Sequence, residues 1–178
     1  MIDSVASDWL RKIKVDPNPT LFWQSKDDAM QPREWGELVH QILAKIRGIE
    51  EADTVLLPYL HDGVIDLETA GALKDKFLQM AQHPLICDAF SSEAKVKTEC
   101  EIYYPAIKKV IRLDRYAELP DVIYLIDYKT GKKDPEHHTQ VQHYANAVKE
   151  LSGKEIQAYL VYLSEDAIEV EPLIVNAL

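Results

Sequence analysis

The chain has 178 residues, the size of one domain and long enough to bury a core without disulfides or metals. Hydrophobic residues make up 47% and charged residues 28%, which excludes general disorder, collagen-like repeats and a coiled coil. Lys and Arg number 20 against 30 Asp and Glu; the net charge of −10 argues against a dedicated nucleic-acid tether, but not against a carboxylate cluster holding divalent cations.

The first stretch, Met1–Asp16, has no apolar centre behind a basic flank, so it does not read as a secretory leader. No run approaches the ~18 apolar residues of a membrane span. A soluble, cytoplasmic chain without membrane contact is expected. Trp35, Leu38, Val39, Ile42, Leu43 and Ile46 recur at three- and four-residue spacing and predict a helix that stops at Gly48. The segment from Ala52 to Gly63 reads as a short helix or turn interrupted by Pro58. Asp66 is a good cap for a second helix through Leu67, Ala70, Leu73, Phe77 and Met80, with a stop at Pro84.

From about residue 94 the period changes to two. Residues 94–104 alternate, residues 108–119 follow after a turn at Pro105, and residues 122–130 are almost continuously β-branched and aromatic. That third strand reads as central and buried on both faces. Asp134 and Pro135 then open a helix through Val141, Tyr144, Ala145, Val148 and Leu151, closed by Gly153. Two strands follow, over residues 156–163 and 167–175. One α/β domain over 1–178 is expected, with 1–90 mainly helical as a cap or lobe and 91–178 the α/β core.

Asp127 and Lys129 lie two apart on the third strand and project from one face. A carboxylate and an ammonium at a strand end suit hard-metal chemistry, the acid holding the cation and the lysine steadying water or developing charge. Alone, the pair is as readily a surface ion pair. Asp114 adds weight, because it interrupts the apolar run Val110–Leu113. A hairpin turning at Leu119–Asp121 would make Asp114 and Asp127 cross-strand neighbours, and two close carboxylates call for a shared cation. Glu99 or Glu101, on one face of the preceding strand, completes the cluster; the pattern favours Glu99 and closeness to the turn favours Glu101, so the sequence does not separate them.

The series Gly36-x-x-x-His40, Glu99/Glu101, Leu113-Asp114-Arg115, Asp127-Tyr128-Lys129-Thr130-Gly131 and Gln140-x-x-x-Tyr144 resembles the RecB-like branch of the PD-(D/E)XK nucleases. There, motifs fall in this order on a helix, three strands and a helix. The resemblance covers about residues 33–163 and is nearest to the C-terminal nuclease domains of UvrD/Rep-type helicase–nucleases of the AddA and RecB kind. It implies a restriction-endonuclease-like α/β fold, a central mixed sheet flanked by helices with an N-terminal helical portion. It implies a metal-dependent deoxyribonuclease of exonuclease type in DNA recombination and repair, with a helicase region in the same chain or complex. Thr130-Gly131-Lys132-Lys133 is too short for a Walker A sequence, which suggests an excised domain or a stand-alone relative.

The resemblance also implies roles. Asp114 and Asp127 would ligate Mg²⁺ or Mn²⁺ with Glu99 or Glu101 near, the Tyr128 carbonyl helping and His40 approaching from the first helix. Lys129 would position the attacking water, and Gln140 and Tyr144 would hold Lys129 or the DNA backbone. Related nucleases with an iron–sulfur cluster carry four cysteines; only Cys87 and Cys100 occur here, so no such cluster is expected. Blander readings stand beside these: His40 and Tyr144 as core residues, Arg115 as half of a structural ion pair, and solvated histidines at His137, His138 and His143 rather than zinc ligands. The acidic charge leaves two other functions open: a catalytically silent DNA-end-binding or protein-docking module, and a hydrolase of small phosphates or nucleotides.

Overall fold

Apolar spacing sets the helices of the first half. The computed structural model describes residues 31–105, 107–164 and 167–175, and the following concerns the unit Pro32–Leu178; the leader reading and the first 30 residues of the helical half lie outside the described residues. Helix α1 (Pro32–Leu43) buries Gly36, Leu38, Val39, Ile42 and Leu43 along one stripe. It stops short of Ile46, which a turn bonded to the Leu43 carbonyl carries into the core instead. Helix α2 (Ala52–His61) contains Pro58 without breaking. The proline has no N–H to give, but its carbonyl still accepts from Asp62 at 2.9 Å, and buried Ala52 and Leu56 hold the segment down. Helix α3 (Leu67–Gln82) starts as expected, with the Asp66 carboxylate accepting from the Thr69 amide at 2.8 Å. It buries Leu73, Phe77 and Met80, and a 3-10 turn, Cys87–Phe90, follows Pro84.

The second half is a five-stranded sheet in the order β1-β2-β3-β4-β5. Its strands are β1 (Lys95–Tyr104), β2 (Lys109–Glu118), β3 (Val122–Lys129), β4 (Glu155–Leu163) and β5 (Ile168–Leu173). Neighbours run antiparallel except β3 and β4, whose parallel pairing needs the crossover helix α4 (Pro135–Ser152). Asp134 caps α4 by accepting from the Glu136 amide, and Gly153 ends it at φ +67°, a backbone state that suits glycine. Strand β3 is central, with Ile123 to Tyr128 all buried. This is the restriction-endonuclease-like arrangement, a mixed sheet flanked by helices. No described helix is long and apolar enough to cross a membrane.

Helix α4 covers one sheet face, where Val141, Ala145 and Val148 meet Leu113, Ile123, Leu125, Ile156, Ala158 and Leu160. The N-terminal helices reach the other face, where Thr98 Oγ1 donates to the Ala44 carbonyl and the Tyr124 hydroxyl to Asp88. They form a layer on the sheet.

Strands β1 and β2 change faces part-way along. The paired residues Thr98 and Arg115 look toward the helical layer, whereas the pair two steps on, Cys100 and Leu113, looks toward α4. Residues two apart in a regular strand share a face, so the exchange falls on Glu99 and Asp114. Glu99 has φ +49°, the left-handed region that non-glycine residues seldom occupy.

Arg115 faces away from Asp114, as expected, but it makes no ion pair among the described residues. Its guanidinium, 1% exposed, donates to the carbonyls of Ala89 (3.0 and 3.2 Å), Ile46 (2.9 Å) and Arg47, and lies 4.0 Å above the Phe90 ring centroid. The carbonyls belong to turns that leave the helices without intrahelical partners, so a five-donor fork satisfies them where a carboxylate would not. Replacing it orphans several buried acceptors at once. Arg115→Met is therefore expected to lower stability by about 3 kcal/mol or more, read as the urea midpoint. A midpoint close to that of the unmodified chain would mean that these turns satisfy their carbonyls without it.

Candidate active site

The apolar row of β3 that faces α4, Ile123 and Leu125, ends in Asp127 and Lys129 where the strand leaves the core. Asp127 is 6% exposed, and its Oδ2 lies 2.7 Å from Lys129 Nζ. That oxygen is sealed from solvent and accepts no well-directed hydrogen bond, the ammonium contact apart. Lys129 Nζ also reaches Gln140 Oε1 at 3.4 Å, and Gln140 Nε2 donates to the Tyr144 hydroxyl at 2.8 Å. Gln140 and Tyr144 stand one turn apart on α4, so a single helix edge delivers both.

The antiparallel register that pairs Arg115 with Ile126 places Asp114 opposite Asp127, and the one bracketed by Thr98–Arg115 and Cys100–Leu113 places Glu99 opposite Asp114. Three acidic residues thus form a row across β1, β2 and β3. Asp114 Oδ2 accepts from the Tyr128 amide at 2.9 Å and lies 3.5 Å from His40 Nδ1. Burial, and then the neighbouring charge of Asp127, push the Asp114 carboxyl up to about 6, against the pull of His40 and the Tyr128 amide.

His40 comes from α1, one turn after Gly36. A Cβ at Gly36 would stand 2.7 Å from Thr130 Oγ1, so the missing side chain lets α1 lie this close to the end of β3. One ligand atom each from His40, Glu99 and Asp114 falls within 4.8 Å of the others. Asp127 adjoins this group across the Asp114 pair rather than joining it. Glu99 also pairs with Arg112 Nε at 2.9 Å, whereas Glu101, opposite Arg112 and exposed, stands outside the cluster. The Tyr128 ring points away from α4 and is buried, its phenol pushed up to about 12 by desolvation.

The donors are one imidazole nitrogen and several carboxylate oxygens, a set that suits a hard divalent cation. The sealed Oδ2 of Asp127, met by the Lys129 ammonium, and the raised Asp114 carboxyl beside it leave negative charge that a cation would neutralise. These residues fit the ion. Elsewhere, His137 meets the Tyr162 hydroxyl at 3.2 Å and His138 meets Glu171 at 3.0 Å, so separate partners take them up. The backbone-binding role of Arg115 and the approach of Gly36 to Thr130 had no signature in the residue pattern, because each depends on contacts distant in sequence.

Comparison with known proteins places this geometry. None of the curated proteins matches the chain in sequence. A crystal structure from Eubacterium rectale, described as a "putative exonuclease", superposes with a TM-score of 0.50 at 10% identity. The match covers 83% of this chain and 61% of that one, so this chain spans about three-fifths of its length, and the likeness is one of fold. The crystal structure of SSO0001 matches at 18% identity over 76% of this chain and 65% of that one, but its TM-score of 0.30 carries no argument. The family model of the PD-(D/E)XK nuclease superfamily matches residues 13–176, nearly the whole sequence and every residue of the site described above. The chain belongs to the PD-(D/E)XK nuclease superfamily.

Proposed function

We propose that the chain is a divalent-metal-dependent deoxyribonuclease, hydrolysing phosphodiester bonds as the nuclease module of a helicase–nuclease in recombination and repair. The observation that carries the reading is the meeting of His40, Glu99 and Asp114 with the Asp127–Lys129 pair at the end of β3. The family match from residue 13 onward supports treating 1–178 as one nuclease domain, and the motif order supports the helicase-associated, exonuclease form.

His40, Glu99, Asp114 and Asp127 would hold Mg²⁺ or Mn²⁺, with the Tyr128 carbonyl as a further donor. When bound, the cation supplies Lewis acidity toward the phosphate and makes water easier to deprotonate. The rest is done by the chain. Lys129, held between Asp127 and Gln140, presents its N–H groups to a water or to the charge growing on the phosphoryl oxygens. Tyr144 fixes Gln140, and Gln140 fixes Lys129, so the ammonium need not be reorganised during the reaction. The Tyr128 amide orients Asp114 by donating to one of its oxygens.

Lys129→Ala is expected to lower the cleavage rate of end-labelled DNA about 10²- to 10³-fold with little change in melting temperature, since it removes stabilisation of developing charge and no core packing. Unchanged cleavage would sink the assignment of Lys129; collapse of the fold would make it structural. His40→Ala should weaken Mn²⁺ binding by calorimetry more than it alters stability, and an unchanged affinity would return His40 to the core.

A third outcome concerns pH. The folded state holds the Asp114 proton more tightly than the unfolded chain does, so Asp114 favours folding below about pH 4 and that stability is lost as pH rises to about 6. Without cation, this costs the fold on the order of 2–3 kcal/mol at pH 7. Asp114→Asn should therefore melt higher than the unmodified chain at pH 7.5 in EDTA and lose that advantage at pH 4. Equal melting temperatures at pH 7.5 would mean that the carboxylate is not strained.

A further inference from the structure

Each carboxylate of the acidic row has a basic group beside it. Lys129 Nζ lies 2.7 Å from Asp127, His40 Nδ1 3.5 Å from Asp114, and Arg112 Nε 2.9 Å from Glu99. A divalent cation entering among these oxygens meets three competitors, and they are not equally able to yield. Lys129 is 19% exposed and held from two sides, by Asp127 and by Gln140. His40 need not leave, because a neutral imidazole offers the ion a lone pair. Arg112 has no such option: a guanidinium keeps its charge and has no lone pair to give. It must move, and its side chain, 64% exposed, has the room.

We propose that Arg112 is a displaceable counter-ion, which sits on Glu99 until a divalent cation binds and then takes a phosphate oxygen of the DNA. The inference rests on the nuclease reading and adds an order of loading to it, cation first. The grip to be broken is weak. An exposed pair of this kind shifts an equilibrium by a factor of about 2 to 5, which a divalent ion drawn by several carboxylates overcomes.

The freed group is well placed and well shaped for phosphate. Arg112 stands on β2 two residues before Asp114, opposite Glu101 on β1, at the outer side of the row. Its planar fork matches two phosphate oxygens at once, where an ammonium presents a point charge. In a chain of net charge −10, a phosphate nearing three carboxylates is repelled until positive charge turns toward it. Cation and arginine then supply that charge together, so each ligand favours the other, and the coupling is reciprocal.

The test compares the full chain with Arg112→Gln, reading Mn²⁺ binding by calorimetry and binding of a short end-labelled DNA by anisotropy. For the DNA measurements both proteins also carry Lys129→Ala, so that cutting stays slow. Arg112→Gln should tighten Mn²⁺ about 2- to 5-fold, because the ion no longer competes for Glu99. In Mn²⁺ it should weaken DNA about 10-fold and lower the salt dependence by about one phosphate. In EDTA it should change DNA affinity little, since the guanidinium is then engaged on Glu99. If Arg112 instead supports Glu99 as a ligand, the substitution weakens Mn²⁺, and that sign would overturn the proposal. Equal losses of DNA affinity in Mn²⁺ and in EDTA would do so too, since they mark a plain surface charge. An affinity in Mn²⁺ that the substitution leaves unmoved would mean that the displaced arginine settles on Glu101, and the proposal would fall. Cleavage by the unmodified chain is followed in parallel. If it cuts no DNA in Mn²⁺, the nuclease reading fails whatever Arg112 does; if it cuts and Mn²⁺ affinity ignores Arg112→Gln, only the displacement fails.

Discussion

The buried guanidinium of Arg115 is the constraint on which the rest of this structure depends. It takes the carbonyls of Ile46 and Arg47 just after α1, and that of Ala89 in the turn after α3. Two separate pieces of the helical layer are thereby fixed to one point on β2. The residue just before it on β2 is Asp114, which faces the site. One step of the chain thus couples the docking of α1 to the carboxylate that α1 must approach with His40. A buried charge met by peptide dipoles and an aromatic face is costly to assemble, and breaking it is costlier still. The fold keeps the arrangement because no apolar residue would satisfy those carbonyls.

The second constraint is repulsion accepted by design. Asp114 and Asp127 face each other across β2 and β3 in surroundings dry enough to push Asp114 to about 6. Natural cores place carboxylates this way only where something neutralises them. Lys129 does so for Asp127, and His40 does so in part for Asp114. What remains is an excess of negative charge facing an imidazole and a glutamate, which is the electrostatic shape of a cation site. The acidic sequence is then no puzzle: part of the negative balance is the site itself.

Much of this was legible in the sequence because it depends on local periodicity. The apolar stripe of α1, the cap at Asp66, the central character of β3 and the stop at Gly153 are short-range matters of spacing and turn chemistry. Asp127 and Lys129 share a face for the same reason. The choice between Glu99 and Glu101 was not legible, and the structure gives the cause. Strand parity assigns both glutamates to one face, but β1 exchanges faces at Glu99 itself, so the period-two rule fails at the very residue it was asked about. The ion pair expected for Arg115 failed differently. A charge next to an acidic residue suggests a carboxylate partner, and the actual partners are main-chain atoms 26 to 69 residues away, which no side-chain pattern encodes.

The exchange of faces also explains how a three-carboxylate row arises at all. In a regular sheet, Asp114 would share its face with either Arg115's neighbours or Leu113's, and both are already full: one with helical turns, the other with α4. Turning the strand over between Leu113 and Arg115 leaves Asp114 committed to neither packed layer, at the one place where the end of α1 and the end of β3 also arrive. Glu99 pays in backbone strain, at φ +49°, to stand beside it. Strain of that kind persists only where its surroundings hold it, and here Thr98 is bound to Ala44 on one side and Cys100 packs toward α4 on the other. The irregularity of two strands is what turns a packed sheet into a sheet with a polar seam, and the seam is where the chemistry sits.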